Sequence, residues 1–343
     1  MAQIAATDPA SASLPLLTLY LTDRCNSRCV TCDYWRHGRT NLTLAAIRQL
    51  LPSLEALKTR TVVLSGGEPL LNPEWAEIAA LLRAHGLKLW LLTSGLSLAK
   101  HAASASALFD SITVSLDGTR AETYAAIRGL NAFEVVCAGI RAAAAAGAPV
   151  GIRVTLQRAN YRELPRFVSL AQELGAQQVS FLAVDVSNPH AFGRLDDFSS
   201  DLALGGDDLP LLAQLLETLE REHAPEFRSG FIAENPHKLG RILQYFAALL
   251  GRAEFPPVRC NAPEFSAVYT AAGRLQPCYF IAGPAAAAGD DLRVLLNDPP
   301  QAELRAAIRA GERPQCQRCV CSMWRDPGAF ARDDVLLPRR AVG

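Results

Sequence analysis

Along the first half of the chain, short apolar runs alternate with longer stretches whose apolar residues recur every three or four positions. The short runs predict strands at 16–22, 61–65, 87–93, 111–117, 149–157 and 178–185. The longer period predicts helices near 43–58, 73–85, 97–107, 132–147 and 161–174. Asn72-Pro73 opens one helix, and Gly86, Gly147 and Gly175 close others, in keeping with proline at helix starts and glycine just past helix ends. Six successive βα units are fewer than the eight that close a barrel, so the class is α/β with an open, partial (βα)6 barrel. In such a barrel the chemistry sits at the C-terminal ends of the strands.

Two of the strands are polar on one face. Alternation places Thr113, Ser115 and Asp117 together, and likewise Arg153, Thr155 and Gln157. A barrel interior filled by packing is apolar, so a polar inner face implies a cavity that holds a ligand. Arg153 in a central strand is costly unless paired or liganded, which leaves two readings open: an anchor for an anion, or an internal salt bridge. Beyond the last of these strands the pattern changes. An acidic link around Asp196-Asp197 and Gly205-Gly206 leads to helical periods near 208–222 and 236–250, and Phe265–Tyr269 with Gly273–Gln276 reads as a β-hairpin.

Composition narrows the picture. The chain has 343 residues, half of them hydrophobic, enough for a sizeable core and a prior of two domains. Lys plus Arg equals Asp plus Glu at 34 each, so charge suggests neither a nucleic-acid nor an anionic-membrane partner. Residues 1–13 lack the basic and apolar regions of a signal peptide, and no apolar run reaches the ~20 residues of a membrane span. The expected location is the cytoplasm. Nine cysteines, eight of them in groups at 25–32 and 260–321, then point to metal or catalysis rather than disulfides. The ninth, Cys137, falls on the apolar face of a predicted helix and reads as core.

The first group, Cys25, Cys29 and Cys32, has the spacing CxxxCxxC and directly follows the first strand. Most [4Fe–4S] clusters take four cysteines, so three leave one iron open to a ligand. Structural zinc is the plainer alternative, but it needs a fourth donor, and His37 is the only nearby candidate. At these residues the chain resembles the radical S-adenosylmethionine (radical SAM) superfamily. Thr31 departs from the aromatic or large residue usual before the third cysteine, a position that in the family presents mainly backbone to the adenine.

The resemblance covers roughly residues 14–190 and extends to three later segments. Ser65-Gly66-Gly67-Glu68-Pro69 matches the motif whose backbone and glutamate hold the SAM amino group. Leu92-Thr93-Ser94-Gly95 stands where relatives often carry Thr-Asn-Gly. Val114-Ser115-Leu116-Asp117-Gly118 matches a motif near the SAM ribose or carboxylate, and Arg128-Gly129 resembles a segment whose arginine meets the carboxylate. The implied SAM-binding set is Gly66, Gly67, Glu68, Ser94, Ser115, Asp117 and Arg128, with a helix-end charge as the plainer reading of Arg128. Substrate-facing candidates are Arg153, Asp185, His190 and Cys321; Asp185 and His190 also read as loop structure.

The second group runs Cys260, Cys278, Cys316, Cys319 and Cys321. Alone it suits a structural zinc as well as a cluster. Beside the barrel it resembles the twitch domain, a shortened SPASM domain carrying one auxiliary [4Fe–4S] cluster. The expected ligands are Cys260, Cys278, Cys316 and Cys319, with Cys321 as a substitute or a free thiol. The resemblance therefore implies a partial (βα)6 TIM-like barrel at 14–195, a helical linker at 196–255, a twitch/SPASM-like module at 256–325 and a tail at 326–343. It implies two [4Fe–4S] clusters, SAM, and an electron donor such as flavodoxin or ferredoxin. The expected reaction is SAM cleavage to a 5′-deoxyadenosyl radical that abstracts a substrate hydrogen. With about fifteen residues before the first strand and no fused leader-binding domain in them, the expected substrate is a small molecule, such as a sugar, nucleoside or amino-acid derivative. A peptide maturase is the nearest alternative, and a redox-neutral decarboxylase or epimerase with a structural C-terminal metal site is another.

Overall fold

The computed structural model describes residues 13–188, 191–195, 200–283 and 291–326. In chain order, β1 (Leu16–Thr22), α1 (Tyr34–His37) and α2 (Leu44–Ala56) lead to β2 (Thr61–Gly66), α3 (Trp75–Ala84), β3 (Lys88–Thr93) and α4 (Leu98–Leu108). There follow β4 (Ser111–Ser115), α5 (Ala121–Arg128), α6 (Phe133–Ala145), β5 (Val150–Leu156), α7 (Leu164–Glu173) and β6 (Gln178–Ala183). Helices α8 (Leu209–Glu222), α9 (Ala224–Ser229) and α10 (Pro236–Leu249) come next. The hairpin β7 (Ser266–Tyr269) and β8 (Leu275–Gln276) precedes α11 (Leu292–Asn297), α12 (Pro299–Arg309) and α13 (Pro314–Gln317).

The six expected strands form a parallel sheet in the order β6-β5-β4-β3-β2-β1, and it does not close. Leu17, Leu19 and Leu21 of β1 are fully buried in the main core under the surrounding helices. On β4 and β5 the alternation holds: Ile112, Val114, Ile152 and Val154 are buried, while Thr113, Ser115, Arg153 and Thr155 keep partial access from the lumen. Among the described residues no helix is long and apolar enough to cross a membrane.

Two features differ from expectation. Helix α5 is absent from the predicted helix ranges, although Arg128 reads as a helix-end charge; Gly129 ends it in the left-handed conformation (φ +70), where glycine alone is unstrained. The hairpin also joins the barrel sheet, since β7 pairs in parallel with β1 from Leu16↔Ser266 to Leu19↔Tyr269. Behind it, Leu16, Val63, Trp90 and Leu92 inside the barrel pack against Cys260, Ala262, Phe265 and Met323. The C-terminal module thus fills one layer of the barrel interior, while Thr18, Thr113, Ser115 and Thr155 keep the rest polar.

Candidate active site

The first three cysteines lie on the loop leaving β1, and two neighbours grip that loop. On one side the N–H groups of Gly67 and Glu68 donate to the carbonyls of Thr22 and Arg24, each at 2.7 Å. A Cβ on Gly67 would stand 2.1 Å from the Arg24 oxygen, so only glycine permits the approach. On the other side the C-terminus of α5 accepts from the loop: Arg28 N–H to the Arg128 carbonyl and Val30 N–H to the Ile127 carbonyl, both at 3.0 Å. Free carbonyls at a helix end need such donors.

All nine cysteines are free of disulfides. Burial pushes the Cys25 thiol up to about 11 and the Cys32 thiol up to about 12, so neither ionises unaided near neutral pH. The same three thiols lie within electrostatic reach of one another. A desolvated thiol set is poorly reactive but suits a metal centre, whose charge draws the protons off. Donors already aim at the sulfurs: Ser27 N–H meets Cys25 Sγ at 3.5 Å, and Arg128 Nη1 meets Cys29 Sγ at 3.3 Å. Among the described residues no three Cys, His, Asp or Glu side chains are arranged to hold a single metal ion. A cluster differs in spreading its thiolates over several irons, and the residues present fit one. The His37 Nε2 lies 2.8 Å from the Gly193 carbonyl.

Glu68 is fully buried and joins the ends of β2 and β3. Its Oε1 accepts from Thr93 Oγ1 at 2.7 Å and Leu70 N–H at 3.2 Å, and its Oε2 accepts from Ser94 N–H at 2.7 Å and Ser94 Oγ at 2.6 Å. Ser94 Oγ is also 3.4 Å from Asn26 of the cysteine loop. Ser115 ends β4 on the lumen side, partly exposed. Asp117 and Arg128 form a pair that the motifs did not announce. Asp117 Oδ2 lies 2.8 Å from Arg128 Nη2, and its Oδ1 accepts from Thr155 N–H at 2.7 Å. Burial works against the Arg128 charge, but Asp117 and Cys29 outweigh it and hold the guanidinium above its ordinary range. Both residues expected to meet SAM thus contact each other, while Arg128 Nε has no hydrogen-bond partner among the described residues.

The five later cysteines line one mainly apolar pocket with Phe280, Ile281 and Met323. Burial pushes the Cys278 thiol up to about 11 and raises Cys316, Cys319 and Cys321 as well. Phe280 N–H donates to Cys278 Sγ and Cys321 N–H to Cys319 Sγ, each at 3.4 Å. The two cysteine groups are connected through tyrosines. Tyr20 on β1 meets Tyr34, beside Cys32, edge-on at 6.0 Å, and stacks on Tyr279, beside Cys278, at 6.5 Å. Tyr279 Oη is 2.9 Å from Thr18 Oγ1 in the lumen.

A second cavity, of about 210 Å³, lies between β5, β6, α10 and the Cys319–Cys321 loop, and Arg153 opens onto it. Asp185, a substrate-facing candidate, is 5 % exposed, accepts from Ser187 N–H and Oγ, and faces Arg194, which also caps its carbonyl. His190 lies outside the described residues. Cys137 is buried on α6, as expected of a core residue.

A profile of the Radical SAM superfamily matches residues 19–171. The chain is 32% identical over 165 residues to the mycofactocin maturase MftC of Mycobacterium tuberculosis, covering 47% of this chain and 42% of the maturase. It is 29% identical over 314 residues to the GTP 3′,8-cyclase of Klebsiella pneumoniae, covering 88% and 90%. In fold it resembles Streptococcus suis SuiB bound to its precursor peptide SuiA, with a TM-score of 0.64 at 16% identity, over 86% of this chain and 67% of SuiB. The chain spans about half the length of MftC and of the heme-pathway relatives that match at 32–34%. With the cysteine loop, the glycine clamp and the open parallel sheet in place, residues 19–171 form a radical SAM domain.

Proposed function

We propose that this protein is a radical SAM enzyme that abstracts a hydrogen atom from a small-molecule substrate, such as a sugar, nucleoside or amino-acid derivative. Cys25, Cys29 and Cys32 would hold the SAM-binding cluster, and four of the five later cysteines an auxiliary one. When bound, the first cluster supplies the electron that cleaves SAM to the hydrogen-abstracting radical. Gly66, Gly67 and Glu68 shape the rim on which the SAM methionine group would rest, with Ser94 and Ser115 beside it. Asp117 and Arg128 act behind that rim and orient the cysteine loop. The observation that carries the reading is the lumen itself: two desolvated cysteine groups connected through Tyr34, Tyr20 and Tyr279, with polar strand faces beside them.

The test is an anaerobic iron and sulfide count with a SAM-cleavage assay, wild type beside a Cys25/Cys29/Cys32 triple Ala variant. The expected result is about eight irons falling to about four, as two four-iron clusters require, with SAM cleavage lost. Retained SAM cleavage in the variant would overturn the reading. Four irons falling to none, with zinc remaining, would make the C-terminal metal structural and favour a redox-neutral reaction. A second reading, a peptide maturase, is favoured by the 32% identity to MftC. A small precursor gene beside this one, and SAM turnover stimulated by its peptide, would select it.

A further inference from the structure

We propose that the cavity between β5, β6, α10 and the Cys319–Cys321 loop is an oxyanion site that takes the carboxylate or phosphate of the substrate. This rests on the enzymatic reading above and names the substrate class. The argument begins with Arg153. It sits mid-strand in β5, half-buried, and its Nε donates to Ser180 Oγ at 2.6 Å. Among the described residues no carboxylate lies within ion-pair distance of it, so the internal salt bridge that the sequence left open is not made. This half-buried charge has one neutral hydrogen-bond partner and only the longer-range field of Glu234, so a ligand is needed to complete it. Its two terminal nitrogens remain for the cavity that it lines.

The rest of the wall is predominantly cationic. Lys238 and Arg241 project from α10, and Arg318 stands on the cysteine loop. Arg241 donates to the Pro257 carbonyl at 2.6 Å, and the Arg318 guanidinium lies 5.2 Å from the Phe255 ring centre, so both are held in place without neutralisation. The one carboxylate on the wall, Glu234, is already used: it accepts from Phe181 N–H at 2.8 Å and lies 3.6 Å from Lys238. The whole chain has no net charge, so this excess is local. A guanidinium fork matches a carboxylate or phosphate edge through two parallel hydrogen bonds. Cys319 and Cys321 border the same space. A substrate anchored there by its anion would lie against the second cysteine group.

The experiment is arginine labelling of the reconstituted protein with phenylglyoxal, read by peptide mass spectrometry at constant ionic strength in chloride. Inorganic phosphate and glutarate are the two probes. The expected result is that Arg153 reacts, and that phosphate, glutarate or both slow it on the order of tenfold. Arg83, paired with Asp110 on the outer surface, should be unaffected. Protection by phosphate alone assigns a phosphoryl group, and protection by glutarate alone a carboxylate. Lys238→Gln should weaken the protection. Equal labelling of Arg153 with and without either probe overturns the proposal, as does an Arg153 that never reacts or an effect that chloride reproduces. The labelling does not depend on SAM turnover. A protein that fails to cleave SAM refutes the enzymatic reading, whereas unprotected Arg153 in a protein that cleaves SAM refutes this inference alone.

Discussion

Arg128 carries the clearest residue-scale consequence. A guanidinium at 3.3 Å from Cys29 Sγ stabilises the more negative, reduced state of a cluster on that sulfur. Arg128→Gln is expected to lower the midpoint potential of the N-terminal cluster by about 60 mV, a tenfold change for one electron. Arg128→Lys, which keeps the charge, should shift it less; redox titration followed by EPR reads both. An unchanged potential in Arg128→Gln would remove Arg128 from any electronic role. The glycines show how a motif is legible for one reason and built for another. In sequence Gly66-Gly67 resembles a surface for SAM, yet Cβ atoms there would stand 2.2 Å from the Thr22 oxygen and 2.1 Å from the Arg24 oxygen. Their first duty is to let β2 close on the cysteine loop. Gly67→Ala is therefore expected to lose the iron held by Cys25, Cys29 and Cys32 while retaining the other group's, about half of the total if each holds four irons.

At the scale of elements, α5 is the lever that sets Arg128, and Glu163 holds its start. The Glu163 carboxylate accepts from Thr119 N–H at 2.7 Å, Thr119 Oγ1 at 2.8 Å and Thr123 Oγ1 at 2.5 Å. Its contact with Arg120 is largely solvent-exposed on the arginine side and contributes little. Burial alone would raise the carboxyl, but the Thr123 and Thr119 hydrogen bonds outweigh it and hold the pKa below the ordinary range. A carboxyl depressed in the native state stabilises the fold above its unfolded pKa, and that contribution fades as pH falls through the native value. Glu163→Gln should cost about 1–3 kcal/mol at neutral pH. The difference from wild type should shrink on acidification below the ordinary carboxylate range, as measured by urea denaturation. A penalty that stays constant with pH would show that the charge plays no part.

For the whole molecule, the decisive feature is that the C-terminal module is part of the barrel. Phe265 is fully buried among Leu16, Val63 and Ala262, and β7 extends the sheet from β1. Phe265→Ala should cost about 3–5 kcal/mol, the usual range for a buried phenylalanine. Because its cavity opens inside the barrel, unfolding should stay a single transition with a lower midpoint, with barrel and module lost together. Two separate transitions, with only the later one moved, would mean that the module stands alone.

Hydrophobic period, turn residues and cysteine spacing are local properties, which is why all six barrel strands and the CxxxCxxC loop could be read from the chain. The inward polar faces of β4 and β5 were equally legible, because strand alternation needs no partner to be seen. Pairings between distant segments were not. Nothing local says that Asp117 will meet Arg128, that Asp185 will be taken up by Ser187 and Arg194, or that β7 will dock on β1 some 250 positions away. The two readings of Arg153 had the same sequence signature. They separate only where the folded sheet places Ser180 at hydrogen-bond distance and, among the described residues, no carboxylate at ion-pair distance. Periodicity settles which residues turn inward, but which inward groups satisfy one another depends on distances that exist only once the sheet has curled.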